Sequence, residues 1–212
     1  PHSGSPPHRG GMPGADTPDA YVTRFEPTLT GAARSTFIGG TLEDTAAALA
    51  LAPDGSVYVA GNSLSESLPS TEGSVQPFAS KFLRHAFVSR LSNDLSRFIR
   101  NTHLGALRGF GASDLVIEPE GTLLVAGAGA FHEDFPPLPP AASEYDLPAD
   151  NLVRLSADLA GFVKVAEVGL AYAPRIALDN RGAVFIYGEL RRDAMVPQTT
   201  GTVGPVNLGP PA

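Results

Sequence analysis

The chain repeats itself at intervals of 66 and 64 residues, and this internal repeat constrains the fold more than any other feature. The segment 21–25 (YVTRF) recurs at 87–91 (FVSRL) and, less closely, at 151–155 (NLVRL). Three more landmarks follow each copy in the same order. They are a turn that contains glycine, a tight hairpin turn followed by a segment of strand-forming residues, and a hydrophobic residue followed by proline. A repeat of this kind marks a supersecondary unit that needs its neighbours to bury its apolar face. We predict three units, at about 19–84, 85–149 and 150–201.

Individual residue types also recur at fixed places in the repeat. Arginine is the fourth residue of the first segment, one glycine ends the second segment, and another lies in the hairpin of each copy. Glycine provides the positive backbone angle that a tight hairpin needs. We therefore assign structural roles in each unit to nine residues: Arg24, Arg90, Arg154, Gly39, Gly105, Gly169, Gly55, Gly121 and Gly182.

The side-chain pattern within one unit is typical of short antiparallel strands. Apolar and polar residues alternate along 21–25, which is the period of a strand. The segment 45–52 is rich in Ala and Leu and could form a helix by propensity, but its copies at 112–118 and 174–179 favour a strand. The chain contains 23 Gly and 20 Pro in 212 residues, which fits many strands joined by turns. We predict an all-β fold of three four-stranded antiparallel sheets, arranged like the blades of a β-propeller.

These motifs resemble the bacterial β-propeller repeats known as SBBP repeats, over roughly residues 19–201. The likeness is carried by the strand 20–25 (AYVTRF), the turn 37–40 (FIGG), the strand 55–61 (GSVYVAG) and the step 65–69 (SESLP). The second unit departs from the pattern where Ala106 replaces the second glycine of the turn. The resemblance implies a propeller fold and an exported protein, in the periplasm, on the outer surface or outside the cell. It implies no shared enzymatic activity.

Three blades are fewer than the four to eight with which propellers close. The expected propeller is therefore open or partial, as a fragment of a longer chain, as one of two copies in a ring, or as a subunit docked on a larger assembly. Residues 1–18 are predicted to be a flexible Pro/Gly-rich arm and 202–212 a Gly/Pro-rich tail, and both suit docking. The chain begins at Pro1 rather than Met, which we interpret as a processed or excised product.

Composition narrows the functional classes. A net charge of −7 argues against general nucleic-acid binding, which requires cationic neutralisation of phosphates. No run of 18 apolar residues predicts a transmembrane helix. The absence of cysteine excludes disulfides and thiolate metal sites, and no known catalytic or cofactor-binding motif occurs. We expect no cofactor; weak candidates for a metal site are His132, Glu133 and Asp134, which more often form a solvated loop.

The expected function is that of a non-enzymatic interaction or scaffold module, an accessory subunit of a bacterial envelope or surface assembly. Its expected partners are other subunits or further copies of itself. One alternative is a cell-surface propeller fragment that binds a ligand or carbohydrate, although the chain lacks the Trp that sugar sites favour. A further alternative is a hydrolase that uses channel carboxylates, for which the candidates are Asp44, Asp114 and Glu118.

Overall fold

The computed structural model describes residues 17–66, 68–77, 84–105, 110–129, 150–167 and 171–190. These residues form twelve β-strands and no helix. The strands are β1 (Ala20–Phe25), β2 (Ala32–Ile38), β3 (Asp44–Leu51), β4 (Val57–Ser63), β5 (His85–Leu91), β6 (Phe98–Leu104), β7 (Phe110–Ile117), β8 (Leu123–Gly129), β9 (Asp150–Leu155), β10 (Phe162–Glu167), β11 (Ala171–Leu178) and β12 (Val184–Leu190). The fold is all-β, and the ambiguous Ala-rich segment is the strand β3. Most of the predicted arm, the whole predicted tail and Gly169 lie outside the described residues.

The strands associate differently from the prediction of three four-stranded sheets. In the described part of the chain there are two four-stranded antiparallel sheets, β3-β4-β5-β6 and β7-β8-β9-β10, and two two-stranded sheets, β1-β2 and β11-β12. Each four-stranded sheet therefore takes its first two strands from one predicted unit and its last two from the next. The physical reason is that β4 pairs with β5 along its whole length, from Val57 opposite Leu91 to Ser63 opposite His85.

The sheets are stacked face to face. The strands β3, β7 and β11, with which three of the sheets begin, lie side by side. One apolar cluster joins β1-β2 to the first four-stranded sheet, through Val22, Ile38, Val59 and Phe87 among others. A larger cluster joins the two four-stranded sheets, and a third joins the second of them to β11-β12. The strand β3 packs beside β7, and β7 packs beside β11. The order of the layers thus follows the order of the chain, with a two-stranded sheet at each end.

The β3–β4, β7–β8 and β11–β12 hairpins share one five-residue geometry. In each, the first residue donates its backbone N–H to the carbonyl of the fifth and accepts the N–H of the glycine at the fourth. That glycine has a positive φ, of 81° at Gly55, 89° at Gly121 and 82° at Gly182. Side chains other than glycine rarely adopt this angle, so the geometry accounts for the residue type at these three positions.

A second kind of hairpin connects β1 to β2, β5 to β6 and β9 to β10. It places a leucine, not a glycine, in the left-handed conformation. Leu29, Leu95 and Leu159 have φ of 56°, 55° and 60°. A left-handed leucine is strained by about 1–2 kcal/mol. Leu95 and Leu159 are buried in the clusters that join their sheets to the preceding ones, so burial offsets the strain.

The structure offers no membrane-spanning helix within its described residues, because none there is long and apolar enough.

Candidate functional site

Residues suggested by the sequence for metal binding or catalysis do not converge on one site. His132, Glu133 and Asp134 lie outside the described residues, and within the described ranges no three metal-ligating side chains come together. Of the candidate carboxylates, Asp44 begins β3, Asp114 is in the middle of β7, and Glu118 follows the end of β7.

Each of these carboxylates has its own structural partners. Asp44 is buried, and its Oδ2 accepts hydrogen bonds from the Gly40 N–H at 2.8 Å and the Ser65 hydroxyl at 2.9 Å. Asp114 Oδ2 accepts the backbone N–H of Ile176 at 2.8 Å, which ties β7 to β11. These contacts connect strands and loops, so they account for the carboxylates as parts of the framework.

Arg90 in β5 is the centre of a group of polar contacts that ties the β3–β4 hairpin to β5. Its Nη2 lies 2.6 Å from Asp54 Oδ2, in the β3–β4 hairpin, and its guanidinium lies 5.4 Å from the centre of the Tyr58 ring. Its Nη1 also donates to the carbonyl of Ala157, in the turn of the following sheet. Hydrogen bonds from Ser56 lower the pKa of Asp54, with Arg90 adding to the effect. One arginine thus bridges its own sheet and the next.

Arg154 makes the corresponding contact in the second four-stranded sheet, to a carboxylate two places earlier in the hairpin. Its Nε and Nη2 donate to the two oxygens of Glu118 at 2.6 and 2.5 Å, a bidentate pair. Glu118 is buried, and Thr122 donates a further hydrogen bond at 2.8 Å. The Arg154 and Thr122 hydrogen bonds hold the pKa of Glu118 below its ordinary value.

We expect Arg154→Gln to destabilise the fold by about 2 kcal/mol at neutral pH, because Glu118 would keep its buried charge without a cationic partner. Urea unfolding measures the change. A folded-state pKa below the unfolded value stabilises the protein above that unfolded value, and the benefit is lost as pH falls. The difference from the wild type should therefore shrink below about pH 4.5. A matched control is Arg97→Gln, at an exposed arginine of an inner sheet, which should change stability by less than about 0.5 kcal/mol; equal losses in both variants would contradict the assignment.

Arg24 and Asp179 occupy the corresponding positions at the two ends of the layer order, and each makes only part of the set of contacts. Arg24 donates to Asn93 in the following sheet at 2.8 Å, but no described carboxylate pairs with it. Asp179 is the first residue of the β11–β12 hairpin, the place of Glu118, and its Oδ1 accepts backbone N–H groups of Arg181 and Ala183. No described arginine pairs with Asp179. Each end thus holds one half of a pair that the inner sheets complete.

Large apolar side chains are exposed at the same two ends. We call the end formed by β1, β2 and the outward face of β3 the leading end, and the end formed by β12 the trailing end. Corresponding residues inside the stack are buried: Tyr58 in β4 is 1% exposed, whereas Phe185 in β12 is 58% exposed. The exposed residues at the leading end are Tyr21, Phe25, Leu29, Phe37, Leu49 and Leu51, and those at the trailing end are Phe185, Ile186 and Tyr187.

The leucine turns show the same contrast and were not predicted. Leu159 is fully buried and Leu95 nearly so, but Leu29, at the leading end, is 76% exposed. The sequence does carry a signal for two of them, because Ser-Xaa-Asp-Leu occurs at 92–95 and again at 156–159. In both, the Asp side chain accepts from the Ser hydroxyl of its own turn, which holds the turn in place.

A buried histidine pair lies between β5 and β6 and was also not predicted. His103 Nδ1 lies 2.9 Å from His85 Nε2, and both side chains are fully buried. Burial, together with the charge that His85 would carry, lowers the pKa of His103 to about 3. His103 is therefore neutral at physiological pH, and the pair is held by one N–H···N hydrogen bond.

Comparison with known proteins adds no family to these observations. No family model matches the chain, and no curated protein matches it.

Proposed function

We propose that this chain is a non-enzymatic protein-interaction module of the β-propeller type, which acts as an accessory or scaffold subunit. The observation that carries the proposal is the pair of apolar ends, where residues whose inner counterparts are buried are exposed. Contiguous exposed apolar surface on a folded protein commonly marks a protein interface. Strand edges add main-chain donors and acceptors that a partner's strand can pair with.

The propeller arrangement is part of the proposal. It is supported by the stack of antiparallel sheets, by the contacts from β3 to β7 and from β7 to β11, and by the likeness of the sequence to SBBP repeats. In a propeller the first strands surround an axis and sheets pack face to face around it. The same likeness supports an exported protein that works in a bacterial envelope or surface assembly.

The structural roles of the acidic residues support a non-enzymatic function. Asp44 and Asp114 bond to backbone groups that join strands, and Glu118 is neutralised by Arg154. A hydrolase of the glycosidase type needs two carboxyl groups that face one scissile bond. Glu118 is instead held by Arg154, and Asp44 and Asp114 are each occupied by hydrogen bonds of the framework.

Site-specific photo-crosslinking tests the proposal. A photoreactive phenylalanine analogue is placed at Tyr187 or at Tyr21, one at each end, and at Ser96 as the control. Ser96 is an exposed residue in the turn of an inner sheet. The labelled chains are mixed with an envelope fraction of the source bacterium, and adducts are identified by mass spectrometry. We expect one defined protein adduct at the two ends, with another subunit or with a second copy of the chain, and none at Ser96.

Two results would overturn the proposal. Equal labelling from Ser96 and from the ends would show that the ends are not specific surfaces. Saturable binding to a glycan array, lost on changing Tyr172 and kept on changing Tyr21 or Tyr187, would instead support the carbohydrate-binding alternative.

A further inference from the structure

We infer that the trailing end of one chain pairs with the leading end of a second copy, so that β12 and the partner's β1 complete a four-stranded sheet. This inference rests on the proposed function and names the partner for the same two ends. The order of strands supports it directly. Among the described strands, each four-stranded sheet has four positions in chain order, whereas β11-β12 fills only the first two of these positions and β1-β2 only the last two. Each end lacks what the other end supplies.

The inner sheets also fix the register of the junction. In the first four-stranded sheet β4 pairs with β5 so that Val57 lies opposite Leu91, and in the second β8 pairs with β9 so that Leu123 lies opposite Leu155. Val184 begins β12 as these residues begin their strands, and Phe25 ends β1 as their partners do. The same register places Val184 opposite the second copy's Phe25 and Ile186 opposite its Thr23. A slip by one residue would turn every side chain to the wrong face.

Polar groups at the junction are complementary in the same register. The second copy's Arg24 would lie opposite Phe185, as Arg90 lies opposite Tyr58 and over its ring. It would also reach the β11–β12 hairpin, where Asp179 holds the place that Glu118 holds for Arg154. Arg24 would keep its bond to Asn93, just as Arg90 bonds both its hairpin and the next turn.

The exposed leucine gives an independent reason. Leu29 has the left-handed conformation of Leu95 and Leu159, which are buried against the preceding sheet. In one copy nothing described covers Leu29, so its strain is not offset. Against the second four-stranded sheet of another copy it would be buried as its counterparts are. Leu49 and Leu51, on the outward face of β3, would be covered by β11 of that other copy.

Two such junctions related by a two-fold axis close a pair of copies. The described residues of each copy then contribute two whole sheets and two halves, which gives six sheets for the pair, within the range in which propellers close. A head-to-tail contact that closes in this way leaves no free edge, whereas one that does not close extends into a filament.

Disulfide trapping tests the register, and the chain suits it because it contains no cysteine. One chain carries Thr23→Cys and the other Ile186→Cys, and the two are mixed and mildly oxidised. Residues opposite each other on antiparallel strands are close enough for a disulfide. We expect a cross-linked heterodimer. The matched control replaces Ile186→Cys by Phe185→Cys, whose side chain faces the other side of the sheet, and should give at least about tenfold less product.

Sedimentation equilibrium of the full chain tests the association and its key residue. The wild type should reach twice the 22.0 kDa mass of one chain. Leu29→Asp should weaken dimerisation by about 100-fold, because a charge would replace a leucine buried only in the dimer. Thr30→Asp, which adds the same charge in the same turn, should change it less than about threefold, since the corresponding Ser96 and Ala160 stay exposed inside the stack. Arg181→Glu should tighten association, because it adds a carboxylate where the inner hairpins have Asp54 and Glu120.

Each result decides between the claims. A chain that stays at the mass of a monomer without cross-linking, or that cross-links equally in both registers, overturns the inference. If such a monomer still gives the end-specific adduct with another protein, the proposed function stands without the dimer. Conversely, an in-register dimer with no further partner keeps the inference and overturns the accessory-subunit role. Masses in sedimentation equilibrium that keep growing beyond that of two chains as the concentration rises overturn the closed pair.

Discussion

Replacing Gly127 by valine is expected to destabilise the fold by about 3–4 kcal/mol, a large part of the stability of a small protein. Gly127 is buried in β8, and the ring of Phe110 lies directly against it. A Cβ at this position would overlap the Phe110 ring and the carbonyl oxygen of Gly111. The ring is fully buried and cannot move away without opening the largest apolar cluster. Thermal or urea unfolding followed by circular dichroism measures the loss.

A second glycine allows the explanation to be checked. Gly61 in β4 has the same surroundings, with the Phe87 ring and the carbonyl of Thr45 where a Cβ would lie, so Gly61→Val should be similarly damaging. Gly31→Ala is the control, because nothing lies within 4 Å of an added Cβ there. We expect that change to alter stability by less than about 0.5 kcal/mol. Equal tolerance of all three substitutions would show that the rings do not pack on the glycines as described.

Lowering the pH from about 7.5 to about 5 is expected to cost roughly 2 kcal/mol of stability through the buried histidine pair. The pKa of His103 is lowered from 6.5 to about 3 in the folded state, so unfolding takes up a proton throughout this window. A lowered folded-state pKa gives stability that is complete above the unfolded pKa and falls as the pH drops towards the folded value. Urea midpoints measured across the range should therefore decrease steadily below about pH 6.5.

The histidine origin of this slope can be separated from that of the acidic residues. Asp and Glu in unfolded chains titrate near pH 4, below this window. The variant His103→Leu removes the buried titrating group, so it should flatten the decline between about pH 6.5 and 5, whatever its stability at neutral pH. A slope as steep as that of the wild type would mean that other groups control the acid sensitivity.

The strands were accessible to sequence reasoning because their signals are local. Alternation along 21–25 indicated β1, and comparison of 45–52 with its copies decided correctly for the strand β3 over a helix. The pairing of strands was not accessible in the same way. A repeat gives the period but not the point at which one sheet ends, and the predicted boundary between the first two units, near residue 84, falls inside a sheet that runs from β3 to β6.

Candidate interaction residues were missed for the same reason. Whether Phe185 or Leu29 is buried depends on which sheet lies next to it, and both are large apolar residues like their buried counterparts. The leucine turns also run against residue preference, because the left-handed conformation normally indicates glycine or asparagine. Their geometry follows from burial of Leu95 and Leu159, a tertiary effect that overrides the local preference.

The placement of sheet boundaries inside the predicted units bears on how such a protein could change in size during evolution. Because every inner sheet combines the end of one unit with the beginning of the next, duplicating or deleting a single unit adds or removes one whole sheet wherever the cut falls. The two-stranded sheets at the two ends, β1-β2 and β11-β12, are unaltered by such an event. Growth in length would therefore preserve the complementarity of the termini, and only the number of layers between them would change.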